Sequence, residues 1–251
     1  MFQAWPNHTF NRTLRGVPIF GQNSSPNSAR RKVPVNFYVR PLMPISVPLI
    51  EQARSATPWD LGNQVLYDLC TKHPKHGDPG EVIAKVWLIG RSYAAAIERR
   101  RERCDENDDF YVEKVAPAII QSDIDKWIDD VSAHERIGTE SKTSALYAHH
   151  RVTKLFYDIS GLEKRSLASK YLHFHQPKLF FIYDTRAVEA LRKLTSIVGR
   201  TTKKSEPSDD EYRKLVEKCL RLQAFIQHEF RILLTPREID KLLLIIHSKE
   251  A

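Results

Sequence analysis

The sequence predicts an all-helical body behind an extended, basic N-terminal arm. From about residue 58 onward, apolar side chains recur at three- and four-residue steps, the spacing that lines one face of a helix. The period-two alternation of a half-buried strand does not occur, and cap and turn residues punctuate the periodic stretches at helical lengths. No internal repeat is seen.

The arm, residues 1–50, carries Arg12, Arg15, Arg30, Arg31, Lys32 and Arg40 and no acidic residue, whereas residues 51–251 hold 33 basic against 31 acidic. Six of the formal net +8 charges therefore sit on the arm. Seven of the fourteen prolines also fall before residue 49, and proline removes amide donors and blocks helices. An extended segment is expected, its apolar second half, 33–50, lying along the body as a strap, with little regular structure before Pro58.

The body, 51–251, is read as one helical domain. Asp60 is expected to cap a helix over Leu61–Lys72, and residues 73–79 break it. Residues 79–104 read as one long helix, with Gly90 and Ala94 allowing close contact; its basic end, 99–103, suits the negative pole of the helix dipole or, alternatively, a phosphate. Helices over 110–120 and 122–133 follow, the second with Ser122 as N-cap and Asp125 at the capping-box position. Further helices are expected over 144–158 and 164–175, and over 185–198 with Asp184 as N-cap. The last two cover 210–229 and the stretch after Thr235-Pro236-Arg237-Glu238, which combines a cap, a first-turn proline and a capping-box glutamate.

The longest apolar runs are five residues, as at 93–97, 179–183 and 242–246, well short of the ~20 a membrane-spanning helix needs. Residues 1–20 lack the apolar stretch of a secretory signal, so a cytoplasmic location, nucleoid-associated in a bacterium, is expected. Cys70, Cys104 and Cys219 lack ligand spacing and read as unpaired thiols. His149 with His150 and His173 with His175 fall on diverging helix faces, so no metal site is expected.

Chemistry concentrates in residues 159–186. A helix runs into Ser160-Gly161-Leu162-Glu163, a second helix begins with Lys164, Arg165 and Ser166, and after Phe181-Ile182-Tyr183 a carboxylate stands at the next helix start, Asp184. A turn leading into a helix N-terminus directs free amides outward, which suits a phosphate.

This window resembles the helix-hairpin-helix DNA glycosylases, nearest to their 8-oxoguanine branch. Gly161-Leu162 stand for the hairpin, Leu167-Ala168-Ser169 for the small-residue contact and Phe181-Ile182-Tyr183 for the approach to the catalytic Asp184. Ser160 replaces the hairpin proline and Glu163 its second glycine. The resemblance implies a two-lobed helical bundle, acting as a monomer without cofactor on double-stranded DNA that carries a damaged or modified base, with the hairpin at 159–170. It implies phosphate contacts from Gly161, Lys164, Arg165 and Ser166, a base pocket that includes His173, and catalysis by Asp184 with or without a lysine. Alignment on Ala168-Ser169 puts Ser166 at the Schiff-base position, so Lys170 one turn later, Lys164 two residues earlier and no lysine at all remain open. A rival reading is a noncatalytic helical DNA-binding or protein-interaction module that keeps the hairpin.

Overall fold

In a computed structural model, the structure describes residues 45–99, 110–201 and 208–249. The described residues belong to one unit, Pro41–Ala251, and form helices without strands. These are α1 Val47–Arg54, α2 Asp60–Lys72, α3 Pro79–Ser92, a π-helical turn Tyr111–Val115 continuing into α4 Ala116–Ile120, α5 Ile124–Ser132, α6 Lys142–Ser160, α7 Arg165–His175, α8 Thr185–Lys193, α9 Thr195–Val198, α10 Asp210–Phe230 and α11 Pro236–Ser248.

Helix α7 is the axis of the fold. It packs against α2, α3 and α6, and residues 167–174 are all buried. Leu167, Ala168, Tyr171, Leu172 and Phe174 supply apolar surface, each large side chain worth ~1.5–3 kcal/mol when removed from water. Ser169, Lys170 and His173 lie in the same buried stretch, so each must find partners inside the protein. The last helix, α11, covers α8 on one side and α1 on the other, and α10 joins α8 and α9 to α6. Its start is the predicted capping box: Thr235 Oγ1 accepts from the Glu238 amide, and the Glu238 carboxylate accepts from the Thr235 amide at 2.7 Å.

Four local expectations are corrected. Helix α1 begins inside the segment expected to be extended, because Pro48 falls in the first turn, where no amide donor is required, and Leu49, Ile50 and Ala53 find a buried place in the core. The helix expected over 79–104 ends at Ser92. The chain then reverses through Ala94 at φ +50°, the Ala95 amide donates to Gly90 O at 2.8 Å, and a Cβ on Gly90 would stand 3.0 Å from Ala96 Cα. Gly90 thus admits a returning strand of backbone, not a neighbouring helix. Arg99 donates to Ala94 O, off any helix end, and residues 100–104 lie outside the described residues. Asp125 does not close a capping box; its carboxylate accepts from His76 Nδ1 at 2.6 Å. The helix expected over 185–198 divides at Leu194. Cys70 and Cys219 are free and buried, while Cys104 and nearly all of the basic arm, residues 1–44, lie outside the described residues. Among the described residues no helix is long and apolar enough to cross a membrane.

Candidate functional site

Helix α6 ends at Gly161, whose φ of +71° is the left-handed conformation that terminates helices most cheaply when no Cβ is present. Its amide donates to Tyr157 O at 2.7 Å. Ser160 Oγ donates to Phe156 O at 2.7 Å and accepts from the Leu162 amide at 3.3 Å, so this hydroxyl braces the turn. The α6–α7 hairpin is therefore formed.

The first residues of α7 are drawn toward the protein. Lys164 Nζ donates to Arg99 O at 2.7 Å and reaches Ala96 O at 3.4 Å, tying the hairpin to the reversal after α3. Arg165 is held by Asp209, the N-cap of α10, at 2.6 Å and by Glu163 at 3.0 Å. No side chain caps the α7 N-terminus, and a cavity of about 370 Å³ opens beside it, with Ala94, Arg99, Glu163, Lys164, Ser166 and Thr185 on its walls.

Behind Ser166 lies the buried amine. Lys170 is 1% exposed, and its Nζ donates to Ser166 Oγ at 2.5 Å and to Tyr183 O at 3.0 Å. Ser166 Oγ in turn donates to Tyr183 O at 3.1 Å, and Ser169 Oγ accepts from the Tyr183 amide at 2.9 Å. One face of α7 thus clamps both polar groups of the residue that precedes Asp184. Burial pushes the Lys170 ammonium below the ordinary lysine range, against the opposing pull of Asp184 and Asp240.

Asp184 is the N-cap of α8, its Oδ1 accepting from the Arg186 amide at 3.0 Å and from Arg186 Nε at 3.1 Å. Burial pushes this carboxyl up, but the Arg186 hydrogen bonds and the Lys170 charge outweigh it, and the group ionises below the ordinary aspartate range. Its neighbour Thr185 lines the cavity. Lys170 and Asp184 are close enough for each charge to shift the other's titration, whereas the Lys164 amine is engaged by Arg99 O.

His173, expected in a base pocket, is fully buried: Nδ1–H donates to Phe180 O at 2.8 Å and Nε2 accepts from the Tyr67 hydroxyl at 2.8 Å. With both nitrogens used and burial lowering its pKa to about 4, it is a neutral core histidine that pins the turn before Phe181.

One residue that sequence reasoning passed over enters here from α11. Asp240 is buried, with Oδ2 on Arg237 Nη1 at 2.6 Å and no partner for Oδ1. Tyr93, just after α3, has its ring 5.8 Å from Lys170 Nζ. The signal for Asp240 was present: it falls on the stripe of Pro236, Ile239 and Leu243, where a charged residue has no place unless it is paired. Among the described residues no group of three histidine, cysteine or acidic side chains is disposed to hold a metal ion.

Comparisons with protein-family models, with curated proteins and with solved structures find no match to this chain.

Proposed function

We propose that this protein is a DNA glycosylase of the helix-hairpin-helix type, acting as a monomer on duplex DNA in the cytoplasm or nucleoid and excising a damaged or modified base. The observation that carries the reading is the arrangement at the start of α7. A buried lysine amine rests on a serine hydroxyl at the wall of a cavity, and an ionised aspartate stands at the adjoining helix start. An amine that is desolvated and short of a direct carboxylate partner has an increased free-base fraction, which nucleophilic attack on a sugar carbon requires. A carboxylate that stays ionised is suited to stabilise the positive charge that develops on the sugar as the base departs. The target nucleotide has to leave the stack for either group to reach its glycosidic bond.

In this reading Gly161 and the uncapped amides of α7 meet a DNA phosphate, and Ser166 lies between the cavity and Lys170. Attack by Lys170 then requires the Ser166 hydroxyl to turn aside. If the amine attacks, the Nζ–C1′ bond forms as the glycosidic bond breaks and the base leaves with its electron pair; the two amine protons pass to the departing base and to O4′ as the C1′–O4′ bond opens, leaving a Schiff base at the opened sugar. If water attacks instead, Asp184 alone carries the chemistry. The basic arm adds sequence-independent attraction to phosphates.

The noncatalytic alternative has one specific observation in its favour. Lys164 and Arg165, expected at phosphates, are both occupied by protein partners, and Lys170 also serves as a backbone clamp. Borohydride trapping on duplex oligonucleotides bearing a panel of modified bases separates the readings. A covalent adduct that disappears in Lys170→Gln supports a bifunctional enzyme, base release without an adduct supports the water-using route, and neither product on any substrate leaves the noncatalytic module.

A further inference from the structure

The contact between Lys170 and Ser166 supports a second chemistry, in which the hydroxyl and not the amine meets the substrate. The two residues stand four apart on α7 and so share a face, with Nζ 2.5 Å from Oγ. Lys170 is buried, whereas Ser166 is half-buried and belongs to the wall of the cavity beside the hairpin. The amine is thus withdrawn from solvent, and the hydroxyl lies between it and the open space.

The hydroxyl has the surroundings of a nucleophile. Ser166 Oγ donates to Tyr183 O at 3.1 Å, and the same carbonyl accepts from Lys170 Nζ at 3.0 Å. A neutral amine keeps its bond to Tyr183 O and turns its lone pair to the hydroxyl, so the Ser166 proton has a base at hydrogen-bond distance that is held from its far side. Among the described residues no carboxylate forms an ion pair with Nζ. The charged groups that act on it are Asp184 and Arg186 at the start of α8 and Asp240 of α11, and the Tyr93 ring lies 5.8 Å away. Burial outweighs the two carboxylates and lowers the proton affinity of the amine. Ser166 is also the second residue of α7, whose start no side chain caps, so the first amides of the helix, its own included, are left without a helical acceptor. Donors of this kind stabilise an oxyanion.

We propose that Ser166 and Lys170 form a serine–lysine dyad that hydrolyses carboxylic esters, with the Ser166 hydroxyl as nucleophile and the Lys170 amine as its general base. Oγ bonds to the ester carbonyl carbon as its proton passes to Nζ, and the carbonyl electron pair moves onto the oxygen, which the α7 amides receive. When the carbonyl re-forms, the alcohol leaves with its bonding pair and takes the proton from Nζ. Water then attacks the acyl-serine in the same way and gives a proton to Nζ; Oγ departs with its bonding pair and recovers that proton as the carboxylic acid is released. Ala94, Ala95, Ala96, Leu162 and Leu167 give the cavity small apolar walls, and its volume lies at the low end of the ~300–1,000 Å³ of small-molecule sites, so the acyl chain it takes is short. This activity does not depend on the DNA reading, in which the amine itself is the nucleophile.

The test needs no DNA. The full chain is treated with a fluorophosphonate, which phosphonylates an activated serine with loss of fluoride, and separately with the p-nitrophenyl esters of acetate and butyrate. A phosphonyl group mapped by mass spectrometry to Ser166, and release of p-nitrophenol above the uncatalysed rate, are expected. Ser166→Ala should remove both signals, and Lys170→Met should slow labelling by ~10²-fold or more, the contribution of a positioned base. In the wild type the labelling rate should rise with pH as the amine becomes neutral and level off below the ordinary lysine value of ~10.4. Mapping and the pH profile use the wild type alone, so they decide the question if a variant fails to fold. No adduct in the wild type, an adduct elsewhere than Ser166, or one that persists in folded Ser166→Ala overturns the proposal. Borohydride trapping on modified-base DNA keeps the two activities apart. A DNA adduct without a phosphonyl adduct supports Lys170 as nucleophile and defeats the dyad, whereas a phosphonyl adduct on Ser166 without action on DNA does the reverse.

Discussion

Asp184 is both a cap and a charge, and the two roles separate in Asp184→Asn and Asp184→Ala. The cap is one accepted hydrogen bond from the Arg186 amide at 3.0 Å. Asparagine accepts the same bond, whereas alanine cannot and costs ~0.5–2 kcal/mol. The ion pair with Arg186 adds little to this, because the guanidinium is largely exposed and such pairs contribute ~0–1 kcal/mol. For a domain of this size ~1 kcal/mol moves the melting temperature by about 2–4 °C, so Asp184→Asn should melt within a few degrees of the wild type. The charge also has a pH signature. Its folded pKa is depressed, so the stabilisation it gives is present above the ordinary aspartate range and is lost on acidification through the folded pKa. If the carboxylate also stabilises a developing sugar cation, removing it should cost about 10²–10³ in the chemical step, as for other preorganised charges. Thermal melts by circular dichroism and single-turnover base release on a verified substrate measure the two effects. Equal single-turnover rates in Asp184→Asn and the wild type would refute the reasoning and reduce Asp184 to a helix cap.

Other substitutions test the remaining links. Lys170→Gln should abolish any trapped adduct while far-ultraviolet circular dichroism stays helical; an adduct that survives there but is lost in Lys164→Gln would move the nucleophile to the hairpin. Gly161→Ala should destabilise by ~1–2 kcal/mol in denaturant unfolding, because φ of +71° strains an L-residue even though a Cβ there would meet nothing within 4 Å. Deleting residues 1–32 removes five of the arm's six positive charges, so DNA binding should weaken and its dependence on salt should flatten. Asp240 gives a pH-dependent stability of unusual sign. With its carboxyl raised to about 6 from the ordinary ~3.9, stability present at low pH is lost as pH rises through 6, by ~3 kcal/mol, and urea titrations of Asp240→Asn should lack this fall.

Much of the helical framework is legible because it is written in local chemistry. The Thr235 capping box, the Asp184 cap and the glycine turn at 161 each depend on residues within a few positions of one another. The failures share a different origin. Nothing local to residues 79–104 distinguishes a long helix from one that reverses at Ala94, since the reversal depends on backbone returning over Gly90. Asp125 satisfies the spacing of a capping box, but His76, 49 residues earlier, competes for its carboxylate and wins. Nothing around His173 in the sequence shows that Tyr67, from a distant segment, and Phe180 take up both of its ring nitrogens. The juxtaposition of Lys170 with Ser166 was readable from i, i+4 spacing, whereas the burial of Asp240 with one oxygen unpartnered depends on where α11 docks.

Burial and a depressed pKa do not by themselves make a lysine reactive, and the protein contains its own control. Lys85 on α3 is as deeply buried as Lys170, and its Nζ donates to His73 O at 2.8 Å and to Lys75 O at 2.7 Å. Burial lowers its pKa as well. Both of its partners are carbonyls at the end of α2 and in the loop beyond, so its ammonium closes a helix C-terminus and steadies the turn into α3. Lys170 shares the clamp, through Tyr183 O, but spends its other hydrogen bond on a hydroxyl that lines a cavity, with the Asp184 and Asp240 charges acting on the amine. Removing either amine would leave buried carbonyl acceptors unsatisfied at ~1–3 kcal/mol each, so the clamp alone gives stability a reason to keep a lysine at both positions. What distinguishes position 170 is its second partner, a hydroxyl on a cavity wall beside an ionised aspartate, and it is that partner which the proposed chemistry would use.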